Sequence, residues 1–178
     1  QGDDGSAYLA MEFLDGRTLD QIVGTEGRLS VDRALDVLIQ VADALVAAHN
    51  CGVVHRDLKT SNILLMENHG RADFVKVLDF GLAKMIGHEA SIGISFQGQA
   101  FGSPQYMSPE QFSGDYEADL RADIYSFGIV AYKALTGQLP FKGRMIDVLR
   151  AQIETVPPPP STVPPAREDV PRVLDVLV

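Results

Sequence analysis

Cysteine is almost absent from this chain: Cys51 is the single one in 178 residues, which excludes an internal disulfide and makes a reducing cytoplasm the expected setting. Basic residues are in the minority, 15 against 24 acids, for a net charge of -9. A field of that sign repels phosphate polymers, so neither nucleic acid nor an anionic membrane is an expected partner, although a local cluster can still hold a small phosphate. No apolar run reaches the ~18 residues of a membrane span and no leader pattern opens the chain, so membrane contact is not expected from this segment; flanking segments could still anchor it. His49, His69 and His88 share no spacing that would gather a metal, which argues against a zinc site. Internal repeats and linker-like stretches are missing too. What is left, 46% hydrophobic and 22% charged, is the composition of one soluble globular domain. Because the first residue is Gln1, the chain is expected to be cut from something longer.

The apolar run Tyr8 to Leu14 suits a buried strand, followed by a turn at Asp15-Gly16-Arg17 and a short helical stretch from Thr18 to Val23. Ser30 is a good N-cap, and Val31, Ala34, Leu35, Leu38, Val41, Ala42 and Leu45 recur at helical spacing until Asn50-Cys51-Gly52 stops the pattern. From Val53 to Ala83 the period changes to short strands and loops dense in charge, with a polar turn between Glu67 and Asp73. Met85 to Pro109 shows no period and reads as a long loop. Ala122 to Leu135 is apolar almost all round, with Gly137 just beyond it, as a helix at the centre of a domain would be. Another helix is expected over Met145 to Thr155. The proline-dense Val156 to Pro165 reads as a stiff loop in preference to a docking ligand, and Arg172 to Val178 as the opening of a further helix.

Chemistry concentrates in His55-Arg56-Asp57-Leu58-Lys59-Thr60-Ser61-Asn62 and in Asp79-Phe80-Gly81. Phosphoryl transfer needs a carboxylate to receive the proton of an attacking hydroxyl, oxygen ligands for Mg²⁺ and a cation for the charge on the transferred group. Asp57, Asn62, Asp79 and Lys59 are such a set. Any one alone is weak, since a lone loop Asp is more often a turn residue; their joint spacing is strong.

HRDLKTSN and LDFG, with GSPQYMSPE (Gly102 to Glu110), ADIYSFG and YLAMEFLDG in that order around them, resemble the protein kinase superfamily, specifically the bacterial-type serine/threonine kinases. The resemblance runs from about Tyr8 onward. It implies an α+β, protein-kinase-like fold: residues 1–17 as the last small-lobe strand and hinge, 18–178 as a mostly helical large lobe with short hairpin strands, and the small lobe absent. It implies ATP and Mg²⁺, with Mn²⁺ as a substitute, and transfer to serine or threonine of protein substrates, together with self-association for autophosphorylation in trans.

Residue by residue, the resemblance makes Asp57 the catalytic base, Lys59 a contact to the transferred phosphate, Asn62 and Asp79 the metal ligands, and Asp123 a brace beneath the catalytic loop. Met11 falls at the gatekeeper, Glu12 and Leu14 at the hinge, Leu64 under the adenine and Thr18 near the ribose. Ser103 falls where a hydroxyl bridges the catalytic loop and the acceptor docking site. Glu110 falls where an arginine of the last helix would meet it. His55 reads as a packing residue beneath Phe80, and Cys51 as a small core residue. Arg56, a cation beside the base, calls for an anion, which in this family is a phosphate on the activation loop; Ser95 is the first choice and Ser91 the second.

Two departures stand out: Thr60 replaces the usual proline, which should loosen the turn, and Ser108 opens an SPE where APE is commoner. A Gly-rich loop, the V-A-I-K lysine and its glutamate partner are missing, so the 178 residues alone are expected to be inactive. Two rivals remain: a pseudokinase scaffold, opposed by Asp57, Asn62 and Asp79, and a small-molecule phosphotransferase, opposed by Lys59 and the GSPQYMSPE segment.

Overall fold

The computed structural model describes residues 11–68, 70–80, 103–113, 119–166 and 169–177. Ser91, Ser95 and nearly all of the expected loop before Ser103 lie outside the described residues, as do Tyr8 to Ala10.

Two helices carry the core. In α2 (Val31–Asn50) the Ser30 hydroxyl accepts the Arg33 amide at 3.3 Å, and Val31, Ala34, Val37, Leu38, Val41 and Leu45 form one buried stripe. In α4 (Leu120–Thr136) the Asp119 carboxylate caps the first turn. Gly137 ends the helix in the left-handed region at φ 78°, where a Cβ would also crowd the Arg28 backbone. From Ser126 onward α4 is buried or half-buried all round, as its sequence predicts, whereas Leu120, Arg121 and Ile124 at its start are exposed; α2 packs against it through side chains such as Val37, Val41 and Val130, all fully enclosed. Burying a side chain of this size contributes roughly 1.5–3 kcal/mol.

Ahead of them, α1 (Leu19–Glu26) begins with a reciprocal cap: the Thr18 hydroxyl accepts the Gln21 amide and the Gln21 side chain accepts the Thr18 amide. A small antiparallel sheet of order β1-β2-β3 comprises Arg17–Thr18, Ile63–Asn68 and Arg71–Val77. Pairing of Ile63 with Val77 and of Leu65 with Val75 puts these four on the core face, while Leu64, opposite Thr18 and Lys76, points the other way. The sheet is tied to α2 by Arg33, whose Nε and Nη2 donate to Asp73 at 2.7 and 2.9 Å. Short α3 (Pro109–Ser113), α5 (Met145–Glu154) and α6 (Leu174–Leu177) complete the order.

Three expectations need correction. Met11 to Asp15 is no strand: no strand runs beside it among the described residues, and Met11 and Phe13 are 67% and 90% exposed. Apolar runs report appetite for burial, not the presence of a partner. The turn between Glu67 and Asp73 is narrower than its polarity suggests, because β2 continues to Asn68 and β3 starts at Arg71. Cys51 is exposed, as the first residue past α2 in the turn to Gly52, and is no core residue. The proline-dense stretch is a packed loop, with a 3-10 turn at Pro160–Thr162, Pro160 enclosed, and the Ser161 amide and hydroxyl donating to Asp175 at 2.9 and 2.8 Å.

Two glycines behave oppositely. A Cβ on Gly16 would sit 2.6 Å from the Leu65 carbonyl oxygen, whereas one on Gly24, inside α1, meets nothing within 4 Å. In the intact protein Gly16→Ala should lower the melting stability by about 1–3 kcal/mol, while Gly24→Ala should raise it by about 0.5–1 kcal/mol. Equal responses in thermal melting would contradict this placement.

Candidate active site

The loop from His55 to Asn62 rests on α4 through one side chain. Asp123, fully buried, accepts the His55 amide on Oδ2 and the Arg56 amide on Oδ1, both at 2.8 Å, and its Oδ2 lies 2.8 Å from His49 Nε2. The sequence makes this possible because Asp123 falls in the first turn of α4, facing inward beside Ala122. Arg56 has φ 67°, a left-handed conformation that costs a non-glycine residue on the order of 1–3 kcal/mol. The two hydrogen bonds that Asp123 accepts from the His55 and Arg56 amides offset that strain. His55 is itself enclosed: its Nε2 lies 2.9 Å from the Leu78 carbonyl, and its ring centroid is 4.7 Å from that of Phe80.

That arrangement leaves Asp57 partly open to solvent, with Lys59 Nζ donating to its Oδ2 at 2.7 Å. Asn62 is turned back on the same loop, its Nδ2 donating to the Asp57 carbonyl at 3.0 Å. The Leu78 amide donates to the Asn62 carbonyl at 2.8 Å, which sets Asp79 beside the loop. Asp79 is exposed and has φ 62°. Asp57, Lys59 and Asn62 thus share one loop, joined to the segment of Asp79 through the Leu78–Asn62 bond, with Asn62 buried and Asp79 exposed. Among the described residues no three His, Cys, Asp or Glu side chains gather as a metal cluster. One carboxylate and one amide oxygen suit a Mg²⁺ that takes its other ligands from phosphate and water.

A second group of contacts holds the segment after Ser103. The Tyr106 carbonyl accepts the Ser126 hydroxyl of α4 at 2.7 Å, and Gln152 of α5 donates to the Pro104 and Gln105 carbonyls at 3.0 and 3.3 Å. Gln111 joins it to the loop, donating to the Arg56 carbonyl at 3.1 Å. The Thr60 hydroxyl lies 2.6 Å from Asp20 Oδ1 and 2.8 Å from the Tyr106 hydroxyl; Lys133 Nζ lies 2.5, 3.2 and 3.3 Å from Asp20 Oδ1, Tyr106 Oη and Thr60 Oγ1. Thr60 therefore does not loosen the turn as its replacement of proline suggests. It is fully buried and bonded on every side.

The protein kinase domain profile matches residues 2–171. The chain is 49% identical over 161 residues to the serine/threonine-protein kinase Pkn1 of Myxococcus xanthus, covering 89% of this chain and 22% of that protein. It is 39% identical over 155 residues to the serine/threonine-protein kinase PknB of Mycobacterium tuberculosis, covering 86% and 24%. The chain belongs to the protein kinase family. A solved structure of Rad53 1-466 in complex with AMP-PNP superposes with a TM-score of 0.60 at 30% identity, covering 79% of this kinase chain and 33% of that one. The chain thus spans about a quarter of the length of these two curated relatives. No helix of the described residues is long and apolar enough to cross a membrane.

The remaining candidates of this kinase chain are spread out. Met11 is exposed, Glu12 is exposed and pairs with Lys76 at 2.6 Å, and Leu14 is half-buried. The Thr18 hydroxyl accepts the Gln21 amide as a helix cap, and Leu64 is 6% exposed on the sheet face away from the core. Among the described residues no hydrogen bond joins the Ser103 hydroxyl to Asp57 or Lys59, no ion pair reaches Glu110, and no side-chain partner meets Arg56. Glu110 is near enough for its charge to act on Tyr125, whose phenol is pushed up to about 12 by burial first and by Glu110 second. Sequence reasoning missed His49, Asp20, Tyr106, Gln111 and Lys133. The usable signal was Thr60, an odd residue in a familiar motif.

Asp20 and Lys133 titrate as partners. The bond from Lys133, then that from Thr60, holds the Asp20 carboxyl below its ordinary 3.8, outweighing desolvation. Burial pulls Lys133 down, but the bond to Asp20 and the contact with Tyr106 leave it above its ordinary 10.5. Asp20 therefore contributes stability that is fully present above pH 3.8 and is lost as pH falls through its lowered value. In denaturant melts across the acid range, the gap between wild type and Asp20→Asn should stay constant above that pH and narrow below it. A gap that persists unchanged into strong acid would contradict the pairing.

Proposed function

We propose that this chain carries the large-lobe catalytic groups of a serine/threonine protein kinase, whose intact form transfers the γ-phosphate of ATP to serine or threonine hydroxyls of protein substrates. The observation that carries this reading is the Asp57–Lys59 pair at 2.7 Å on a loop fixed by Asp123, with Asn62 and Asp79 drawn beside it. The serine/threonine kinase relatives support it.

In this reading Asp57 receives the proton of the acceptor hydroxyl as that oxygen bonds to the γ-phosphorus and the bond to the β-γ bridging oxygen breaks. Lys59, already held at Asp57, places its ammonium against the negative charge on the phosphoryl oxygens. Asn62 and Asp79 would hold Mg²⁺, which supplies charge neutralisation on the phosphates. Met11, the backbone of Glu12 and Leu14, and Leu64 would border the adenine, with Thr18 toward the ribose. Arg56, with no side-chain partner among the described residues, would take an anion, and a phosphate on Ser95, or on Ser91, has the right charge. Ser103 would serve acceptor docking, and Glu110 would meet an arginine.

Two substitutions in the intact protein test the roles. Asp57→Asn should keep the fold and ATP affinity yet slow transfer by about 10²-fold or more, because only the proton acceptor is lost. Asp79→Ala should abolish Mg²⁺-dependent ATP binding in calorimetry. Wild-type rates from Asp57→Asn would sink the assignment, and mass spectrometry of the active wild type with no phosphate between Leu82 and Ser108 would sink the role given to Arg56.

A further inference from the structure

We propose that Asp20, Thr60, Tyr106 and Lys133 form one positioning unit that locks the Ser103–Tyr106 turn against the loop carrying Asp57 and Lys59, so that the acceptor-docking segment and the catalytic loop are set as a single body. The inference rests on the kinase reading above and deepens it: these are positioning residues and do not touch the reacting atoms.

Donor and acceptor arithmetic closes the unit. Lys133 has three N–H protons and three oxygens within reach: Asp20 Oδ1, Tyr106 Oη and Thr60 Oγ1. Thr60 has one proton and its shortest contact, 2.6 Å, is the Asp20 carboxylate, so Thr60 donates there. The Tyr106 hydroxyl must then donate to Thr60 across their 2.8 Å contact, leaving Thr60 Oγ1 with one bond given and two accepted. Every hydroxyl and ammonium proton has a partner, and no other arrangement satisfies them all. Such a network is stiff, because moving one member leaves a buried group unsatisfied: Thr60 is 0% and Tyr106 8% exposed.

The geometry gives the stiffness a purpose. Thr60 directly follows Lys59, and Tyr106 ends the turn whose amide bonds back to the Ser103 carbonyl at 2.9 Å. Lys133 stands on α4 ten residues beyond Asp123, about 15 Å along the axis. Asp123 therefore fixes the start of the stretch from His55 to Thr60 and Lys133 its end, while Ser126, between them, holds the Tyr106 carbonyl. One helix is the common reference for the base and for the docking turn. Lys133 is not offered to the acceptor as a free cation, since Asp20 already neutralises it.

The test uses the intact kinase with ATP and dephosphorylated casein. Thr60→Val keeps the shape and removes the hydroxyl, Thr60→Ser keeps the hydroxyl, and Tyr106→Phe removes the hydroxyl that donates to Thr60 and accepts from Lys133. Thr60→Val and Tyr106→Phe should each lower kcat/KM for casein by about 5- to 20-fold with the ATP KM changed less than about twofold, and the double variant should lose little more than either single one, as members of one network do. Thr60→Ser should recover wild-type behaviour. Amide exchange read by mass spectrometry should quicken at residues 103–108 in both Thr60→Val and Tyr106→Phe. Effects that multiply in the double variant, a parallel rise in the ATP KM, or unchanged exchange would overturn the unit. Should Thr60→Val lose cooperative melting, Tyr106→Phe against wild type decides alone. Should wild type transfer no phosphate, the kinase reading falls while the exchange comparison still judges the unit.

Discussion

A carboxylate sealed inside a protein is costly unless its oxygens are met by donors, and Asp123 is met on both: two backbone amides and an imidazole lie at 2.8 Å. The consequence runs outward. The amides belong to His55 and Arg56, and Arg56 is left-handed, so the bonds hold a conformation the backbone would not keep alone. From that bend the chain presents Asp57 and Lys59 to the rim and returns through Thr60 into β2. Were Asp123 on the wet side of α4 with Leu120 and Ile124, water would compete with its carboxylate for these amides. Asp123 itself is fully buried even though Leu120, Arg121 and Ile124 around it are exposed, and that enclosure is what lets one side chain fix a loop.

The same helix also organises what lies beyond the loop. Ser126 and Lys133 extend the line begun by Asp123, and each meets a different part of the neighbouring segments: the Tyr106 carbonyl of the Ser103–Tyr106 turn, then the hydroxyls of Tyr106 and Thr60. α5 adds Gln152 from the far side of that turn. Among the described residues Gln152 Oε1 is buried without a partner, so this side chain holds the turn through its amide N–H groups. The bracing polar groups and the candidate site groups are thus divided by exposure: Asp123 and Thr60 are enclosed, whereas Asp57 and Asp79 keep access to solvent.

Helices were legible because their signals are local. Ser30 before the Val31 stripe, and Gly137 after Leu135, mark ends that the backbone obeys. The candidate site residues could be grouped from the sequence for a different reason, since Asp57, Lys59 and Asn62 share one short loop and need no tertiary information to be placed together. Met11 to Asp15 failed because an apolar run cannot state what lies beside it. The partnership of Asp20 with Lys133, 113 residues apart, was invisible because nothing in either segment refers to the other. At Thr60 the fold reverses the local signal: a hydroxyl in place of proline reads as lost rigidity from the sequence, while with three polar neighbours it is a junction.

Asp123→Asn tests this account most directly, because it keeps the shape and exchanges one acceptor oxygen for an amide group that cannot receive a backbone N–H. In the intact protein, amide exchange followed by NMR should quicken by about tenfold or more at His55 and Arg56, equivalent to about 1.4 kcal/mol, while Val37 and Val41 of α2 stay protected and phosphoryl transfer falls. Unchanged exchange at His55 and Arg56 would contradict the claim that Asp123 holds the loop from His55 to Asn62, and so would a loss of protection spread evenly through α2.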